Sequence, residues 1–72
     1  MAQRRDEILL QKIALRIKGL REKSGLSQEQ VYNDTEIHIA RIETGKANVS
    51  VSTLSALCGY FGVTMAEFFK KV

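Results

Sequence analysis

Residues 27–46 read SQEQVYNDTEIHIARIETGK and decide the fold, because they hold a pair of short helices joined by a tight turn. Ser27 and Gln30 stand at the spacing of a capping box, in which each side chain satisfies a backbone N–H at the start of a helix. The box predicts a short helix that has Val31 on its buried side. Asn33 then suits a tight turn, because asparagine tolerates the left-handed backbone conformation better than most residues.

A second short helix is predicted over residues 36–44, directly after this turn. Thr35 is placed to cap its N-terminus, and Gly45 is placed to close it. Ile39 and Ile42 share one face of this helix by their spacing, so they are expected to point into the core.

The segment before this pair forms one long helix. Its apolar residues recur at spacings of three and four, which is the pattern of a helix with one buried face. They are Leu9, Leu10, Ile13, Ala14, Ile17 and Leu20. Gly25 follows as the expected left-handed residue at the C-terminal end.

Two further helices follow the pair. Ser50 caps a fourth helix, and Gly62 ends it. Its inward-facing residues are predicted to be Val51, Leu54, Leu57, Cys58 and Phe61. Residues 64–67 form a second capping box, which opens a last helix with Met65 and Phe68 packed down. No apolar alternation of period two is found, so the sequence predicts an all-α fold of five helices.

Length and composition limit what the chain can be. Its 72 residues are enough for a single domain, 1–72, which buries only about 60% of its unfolded surface. No apolar run is long enough to span a membrane, and the N-terminus lacks the apolar core of a signal peptide. We therefore expect a cytoplasmic protein without a membrane partner. The single cysteine, Cys58, cannot form an internal disulfide and is expected to pack in the core.

The charge is unevenly distributed along the chain. The net charge is +3, with +4 in residues 1–23, −3 in residues 24–45 and +2 in residues 46–72. A basic protein often meets polyanions, and the excess here is mild.

The helix pair and its flanking motifs resemble the helix-turn-helix of the phage repressor and Cro type, also called the XRE type. The matching motifs are Ile17-x-x-Leu20-Arg21, Gly25-Leu26-Ser27-Gln28-Glu29, Arg41-Ile42-Glu43-x-Gly45-Lys46, Thr53-Leu54-x-x-Leu57 and Phe61-Gly62-Val63-Thr64. The resemblance runs from about Ile13 to Phe69. It implies a five-helix, repressor-like DNA-binding domain with an extended first helix and a helix-turn-helix at about residues 27–45. It also implies an ion pair between Arg21 and Glu43, which would lock the motif against the first helix.

The resemblance further implies which side chains meet double-stranded DNA. In this family the second helix of the motif enters the major groove and reads base edges with its N-terminal residues. The implied base-contacting residues are Glu36, Ile37, His38 and Arg41. Glutamate can accept from cytosine N4, isoleucine can pack on a thymine methyl, and arginine suits guanine. The implied backbone-contacting residues are Ser27, Gln28, Thr35, Thr44, Lys46 and Asn48.

Several of these residues have a plainer explanation that the sequence leaves open. Gln28 can be an ordinary first-turn residue, and Glu36 can serve the helix dipole alone. Ile37 can belong to the core. Arg41 can be a surface residue that is paired with Glu36 or Asp34.

The chain also departs from the family pattern. The stretch from Leu26 to Gly45 is shorter than the family norm by nearly one helical turn, so the first helix of the motif or its turn is expected to be shortened. Tyr32 stands where alanine is usual, and Val49 stands where proline is usual. The motif is net acidic, which opposes phosphate binding unless its carboxylates lie at helix N-termini or in ion pairs.

These features rank three functions. The first is a sequence-specific DNA-binding transcriptional regulator that acts as a homodimer on a symmetric operator; a DNA-binding antitoxin or a restriction-modification controller protein would use the same domain. The second is a protein-interaction module that has lost DNA binding, with an unidentified protein partner. An enzyme has almost no support, because the sequence has no glycine-rich phosphate loop and no metal cluster, and His38 lacks a second ligand at metal-binding spacing. No cofactor, metal or small-molecule ligand is expected.

Two surfaces are candidates for the dimer interface. Ile8 and Leu15 fall on the outer side of the first helix near Gly19, where a second backbone could approach closely. Phe69 and Val72 form the alternative at the C-terminus. The plainer explanation is that Ile8 and Leu15 are scattered surface residues, which are common.

Overall fold

The computed structural model describes residues 6–72; residues 1–5, which include the cations Arg4 and Arg5, lie outside the described residues. Helices account for 70% of the described chain, which has no strand, so the all-α prediction is confirmed. The helices are α1 (Glu7–Lys23), α2 (Gln28–Thr35), α3 (Ile39–Glu43), α4 (Val51–Phe61) and α5 (Met65–Lys70). None of the helices within residues 6–72 is long and apolar enough to cross a membrane.

α1 has one buried face, as the spacing of its apolar residues predicts. Asp6 caps the helix by accepting a hydrogen bond from the backbone N–H of Leu9 at 3.0 Å. The buried residues are Leu10, Ile13, Ala14, Ile17 and Leu20. The prediction that Leu9 joins them is wrong, since Leu9 is 39% exposed. Successive helical residues point about 100° apart, and Leu10 takes the buried direction.

Capping residues mark the other helix starts where the sequence places them. Residues 27–30 form a reciprocal capping box at the start of α2, and residues 64–67 form one at the start of α5. The Ser50 hydroxyl accepts from the backbone N–H of Thr53 at the start of α4. The prediction that Val51 faces inward is wrong, because this first residue of α4 precedes the buried side and is 76% exposed.

The end of α2 differs from the prediction. α2 continues through Asn33 and ends at Thr35, so the expected turn at Asn33 is absent. Thr35 does not cap α3, because its hydroxyl donates to the carbonyl of Val31 at 2.7 Å and accepts from the N–H of Ile37 at 3.1 Å. A threonine hydroxyl that reaches the carbonyl four residues back is a common alternative to N-capping. Here both bonds are made at the C-terminal end of α2.

The turn of the motif is therefore made at Glu36. Its φ of 60° lies in the left-handed region, and its N–H donates to the carbonyl of Tyr32. The helix predicted over residues 36–44 is consequently shorter and covers only Ile39–Glu43. Gly45, with a φ of 75°, follows its end.

All five helices meet in one core. Each helix contributes one fully buried side chain to its centre: Ile17, Val31, Ile39, Leu57 and Phe68. Cys58 is also buried, and burial raises the pKa of its thiol. Arg16 joins α1 to α5, because its guanidinium donates to the carbonyl of Phe68 and lies 5.8 Å from the centre of the Phe68 ring.

The end of α3 packs closely on α1 at Gly45. A Cβ at this position would lie 3.2 Å from Cγ and 3.4 Å from Cα of Gln11. Glycine is therefore required twice, by the left-handed backbone and by the approach of α1. This contact sets the position along α1 against which the end of α3 packs.

Candidate nucleic-acid interface

A polar network fixes the two helices of the motif to α1. The Arg21 guanidinium donates to both oxygens of the Glu43 carboxylate, with Nε–Oε2 at 2.7 Å and Nη2–Oε1 at 3.0 Å. A third bond runs from Arg21 Nη1 to the carbonyl of Leu26 at 2.9 Å. The Gln28 amide donates to Oε1 of the same carboxylate at 3.0 Å. The network joins the end of α1, the start of α2 and the end of α3.

This network is mostly shielded from water. The side chains of Arg21 and Glu43 are 13% and 5% exposed. The hydrogen bonds from the guanidinium to Glu43 raise the pKa of Arg21, so its charge is secure at any physiological pH. The pair neutralises one of the acidic residues that make the motif net negative.

A first groove, of about 540 Å³, lies between the turn, α3 and the start of α4. It brings together the four residues that the resemblance implies as base contacts, Glu36, Ile37, His38 and Arg41, with Asn48 beside them. Glu36, His38 and Arg41 are exposed, whereas Ile37 is half-buried and packs against the core. Ile37 therefore has the core contact that the sequence left open.

The shortened helix of the motif is α3, not α2 or the turn. α2 has eight residues and α3 has five, which is a length of about 7.5 Å. Three of the four implied base-contacting residues consequently lie before α3, in the turn, and only Arg41 lies on it. The end of α2 is held to α4, because the Tyr60 hydroxyl donates to Asp34, which raises the pKa of Tyr60.

Two further grooves carry residues that the resemblance implies as phosphate contacts. A second groove, of about 530 Å³, is lined by Ser27, Gln28 and Thr44 together with Lys18. A third, of about 200 Å³, is lined by Arg41, Thr44 and Lys46. Arg41 borders the first and third grooves, and Thr44 borders the second and third, so the three grooves are neighbours on the surface.

Some candidates occupy places that the sequence does not predict. Thr35 borders none of these grooves, and both hydrogen-bonding roles of its hydroxyl are used within the chain. Asn48 borders the first groove, with the implied base contacts. Lys18 was not singled out by the sequence, although its position one turn before Arg21 places it beside α2. Arg41 forms no ion pair with Asp34 or Glu36 in the described part of the chain.

A protein-family comparison decides the identity of this arrangement. A family model described as helix-turn-helix, of the XRE type, matches residues 17–68. The chain belongs to this helix-turn-helix family. Searches of curated proteins and of solved structures give no match. The family is a DNA-binding regulatory one and is generally non-enzymatic. No group of residues within 6–72 could hold a metal ion.

The helix-turn-helix domain also has an exposed apolar surface on the outer side of α1. Ile8 and Leu15 are 69% and 71% exposed, and a Cβ at Gly19 would meet nothing within 4 Å. A groove of about 370 Å³ beside them is lined by Lys12, Leu15, Arg16, Gly19, Lys71 and Val72. Leu15 and Val72, which the sequence assigns to different candidate interfaces, thus border one groove. Phe69 is 42% exposed.

Proposed function

We propose that this helix-turn-helix protein is a sequence-specific transcriptional regulator that acts in the cytoplasm as a homodimer on a symmetric operator. One observation carries the proposal: all the implied base-contacting residues, and all the implied phosphate-contacting residues except Thr35, border three neighbouring grooves. A DNA-binding antitoxin or a restriction-modification controller would use this surface in the same way.

Within this surface we assign different work to different residues. Gln28 lies at the first turn of α2, where free backbone N–H groups and the helix dipole favour an anion such as a phosphate. Thr44 and Lys46 lie beyond α3 and reach the backbone from the other side. Arg41 and His38 face the bases, because they border the first groove.

One lysine variant and one arginine variant test this assignment. Lys46→Ala should weaken binding to all duplexes alike and reduce the slope of log K against log salt by about one unit. Arg41→Ala should cost about 1–3 kcal/mol on the preferred site and relax specificity at one base pair. The measurement is a fluorescence anisotropy titration against the preferred duplex and a random duplex at several salt concentrations. If Arg41→Ala weakens both duplexes equally, Arg41 contacts phosphate and the assignment is wrong.

A dimer is part of the proposal, because symmetric half-sites one helical turn apart, about 34 Å, need two copies of the domain. The groove bordered by Leu15, Gly19 and Val72 supports a contact along α1. Leu15→Glu and, separately, Phe69→Glu should be compared by sedimentation at matched concentration. Dissociation by Leu15→Glu supports the α1 surface. Dissociation by Phe69→Glu alone rejects it and leaves the C-terminal helix as the interface.

A protein-interaction module is the second candidate. It is favoured by the five-residue α3, which lacks the N-terminal turn that reads bases in a major groove, and by the net charge of −3 over residues 24–45. A gel-shift titration against random duplexes at low salt separates the two functions. A DNA-binding protein has measurable, salt-dependent affinity even for random sequence, and an interaction module has none.

A further inference from the structure

An aromatic contact spans the turn of the helix-turn-helix. The ring of Tyr32, on α2, lies against the imidazole of His38, with 4.6 Å between ring centres and 33° between ring planes. Tyr32 is 40% exposed, so it is not a core residue. The contact therefore forms at the surface, where the first groove begins.

The start of α3 is fixed in part by Ile37, which packs against the core and whose N–H donates to Thr35. His38 is the N-cap residue of α3 and makes no capping hydrogen bond through its side chain. A helix of five residues is far below the length of about 12 at which an isolated helix becomes even marginally stable, so tertiary contacts must set its direction. Ile39 and Ile42 fix its buried side, and the Arg21–Glu43 pair fixes its end. At its exposed start, the Tyr32 ring adds a contact to His38.

The contact with Tyr32 leaves the ring nitrogens of His38 available for hydrogen bonding. The Tyr32 ring lies at 33° to the imidazole plane and forms no hydrogen bond with either ring nitrogen. Among residues 6–72 neither nitrogen has a hydrogen-bond partner. His38 borders the first groove with Glu36 and Arg41, so its edge is free for a base or a phosphate in the surface assigned above.

We propose that Tyr32 is a positioning residue for DNA reading, which holds the His38 imidazole in the first groove and so replaces the missing first turn of α3. The inference rests on the proposed function and deepens it. An aromatic pair of this kind corresponds to about a two- to tenfold change in an equilibrium constant.

The test compares the wild type with Tyr32→Leu, Tyr32→Phe and His38→Ala. The preferred duplex is first selected from a random pool with the wild type, and each variant is then titrated against it, against its single base-pair substitutions and against a random duplex. Tyr32→Leu should lose about two- to tenfold discrimination at the base pair that His38→Ala also affects, with random-duplex affinity unchanged. Tyr32→Phe, which keeps the ring, should restore discrimination.

A double variant and a spectroscopic measurement keep structural effects apart. Tyr32→Leu should cause no further loss of discrimination in the His38→Ala background. In Tyr32→Leu the NMR signals of the His38 ring protons should shift, whereas the signals of residues far from the Tyr32–His38 contact should stay unchanged. The inference is overturned if Tyr32→Leu keeps its discrimination, or loses random-duplex affinity equally, or acts equally without His38. A wild type that binds no duplex refutes the proposed function itself, and a wild type that binds while Tyr32→Leu discriminates normally refutes only the role of Tyr32.

Discussion

Replacing Arg21 by alanine tests the network that holds the helix-turn-helix against α1. The substitution removes two hydrogen bonds to Glu43, at 2.7 and 3.0 Å, and one to the carbonyl of Leu26, at 2.9 Å. It leaves behind a carboxylate whose side chain is 5% exposed, with the Gln28 amide still donating to it. The loss therefore includes the cost of a shielded charge without its cation.

The magnitude follows from that exposure. Breaking a buried ion pair by removing one partner costs about 3–5 kcal/mol. We expect about 3 kcal/mol, the lower end, because Gln28 continues to donate to Glu43. A domain of this size loses about 4–8 °C of melting temperature per kcal/mol, so Arg21→Ala should melt about 12–24 °C lower than the wild type.

Thermal melts followed by circular dichroism check this value, and Lys18→Ala is the matched control. Lys18 is exposed on the same helix and its removal changes the net charge equally, so its effect should stay within about 0.5 kcal/mol. Arg16→Ala should fall between the two, because Arg16 contacts Phe68. Adding Glu43→Gln to Arg21→Ala should recover part of the stability, since it removes the uncompensated charge. Equal melting temperatures for Arg21→Ala and Lys18→Ala would refute the reasoning.

Three further substitutions have expected outcomes. Gly45→Ala should destabilise the fold by more than 1 kcal/mol, seen in chemical denaturation, because φ is 75° and the new Cβ would lie 3.2 Å from Gln11. Gly19→Ala and its control Gly59→Ala should each stabilise the monomer by up to about 1 kcal/mol, since both glycines are helical and a Cβ at either would meet nothing within 4 Å. Only Gly19→Ala should weaken a dimer formed along α1, as measured by sedimentation. Hydrogen bonds from Thr64 lower the pKa of Glu67, so the stabilising contribution of this carboxylate is present above the ordinary pKa of 4.5 and is lost as the pH falls below it. A Glu67→Gln variant should therefore lose stability less steeply in acid than the wild type. Equal slopes of stability against pH would contradict this.

The sequence predicts the start of a helix correctly where a capping residue and an apolar stripe agree. At α4 and α5 a serine or threonine cap stands directly before an apolar stripe, and both helices begin there. The error at Leu9 arises because spacing alone does not say which of two adjacent apolar residues faces the core, and Val51 is exposed because it precedes the buried side of α4. Burial is decided by the neighbouring helices, which the pattern of one helix does not contain.

The helix-turn-helix itself was harder to place. Asn33 and Thr35 both have chemistry that suits a turn or a cap, yet both lie inside α2, and the left-handed turn falls on Glu36, a residue type that rarely adopts it. The sequence indicates that the motif is shorter than the family pattern by nearly one helical turn. It could not assign the loss to α3, because that depends on Thr35 bonding back to Val31 and on Tyr32 packing against His38 across the turn.

The central claim is that this chain binds double-stranded DNA through the surface formed by the three grooves. The most direct test is an NMR titration of the isotope-labelled protein with a random-sequence duplex at low salt, followed residue by residue. We expect shifts at the backbone amides of Gln28, Arg41, Thr44 and Lys46, which diminish as salt is added. Little change is expected at Leu15 on the outer side of α1. Absence of any shift, or shifts confined to the outer side of α1, would contradict the account.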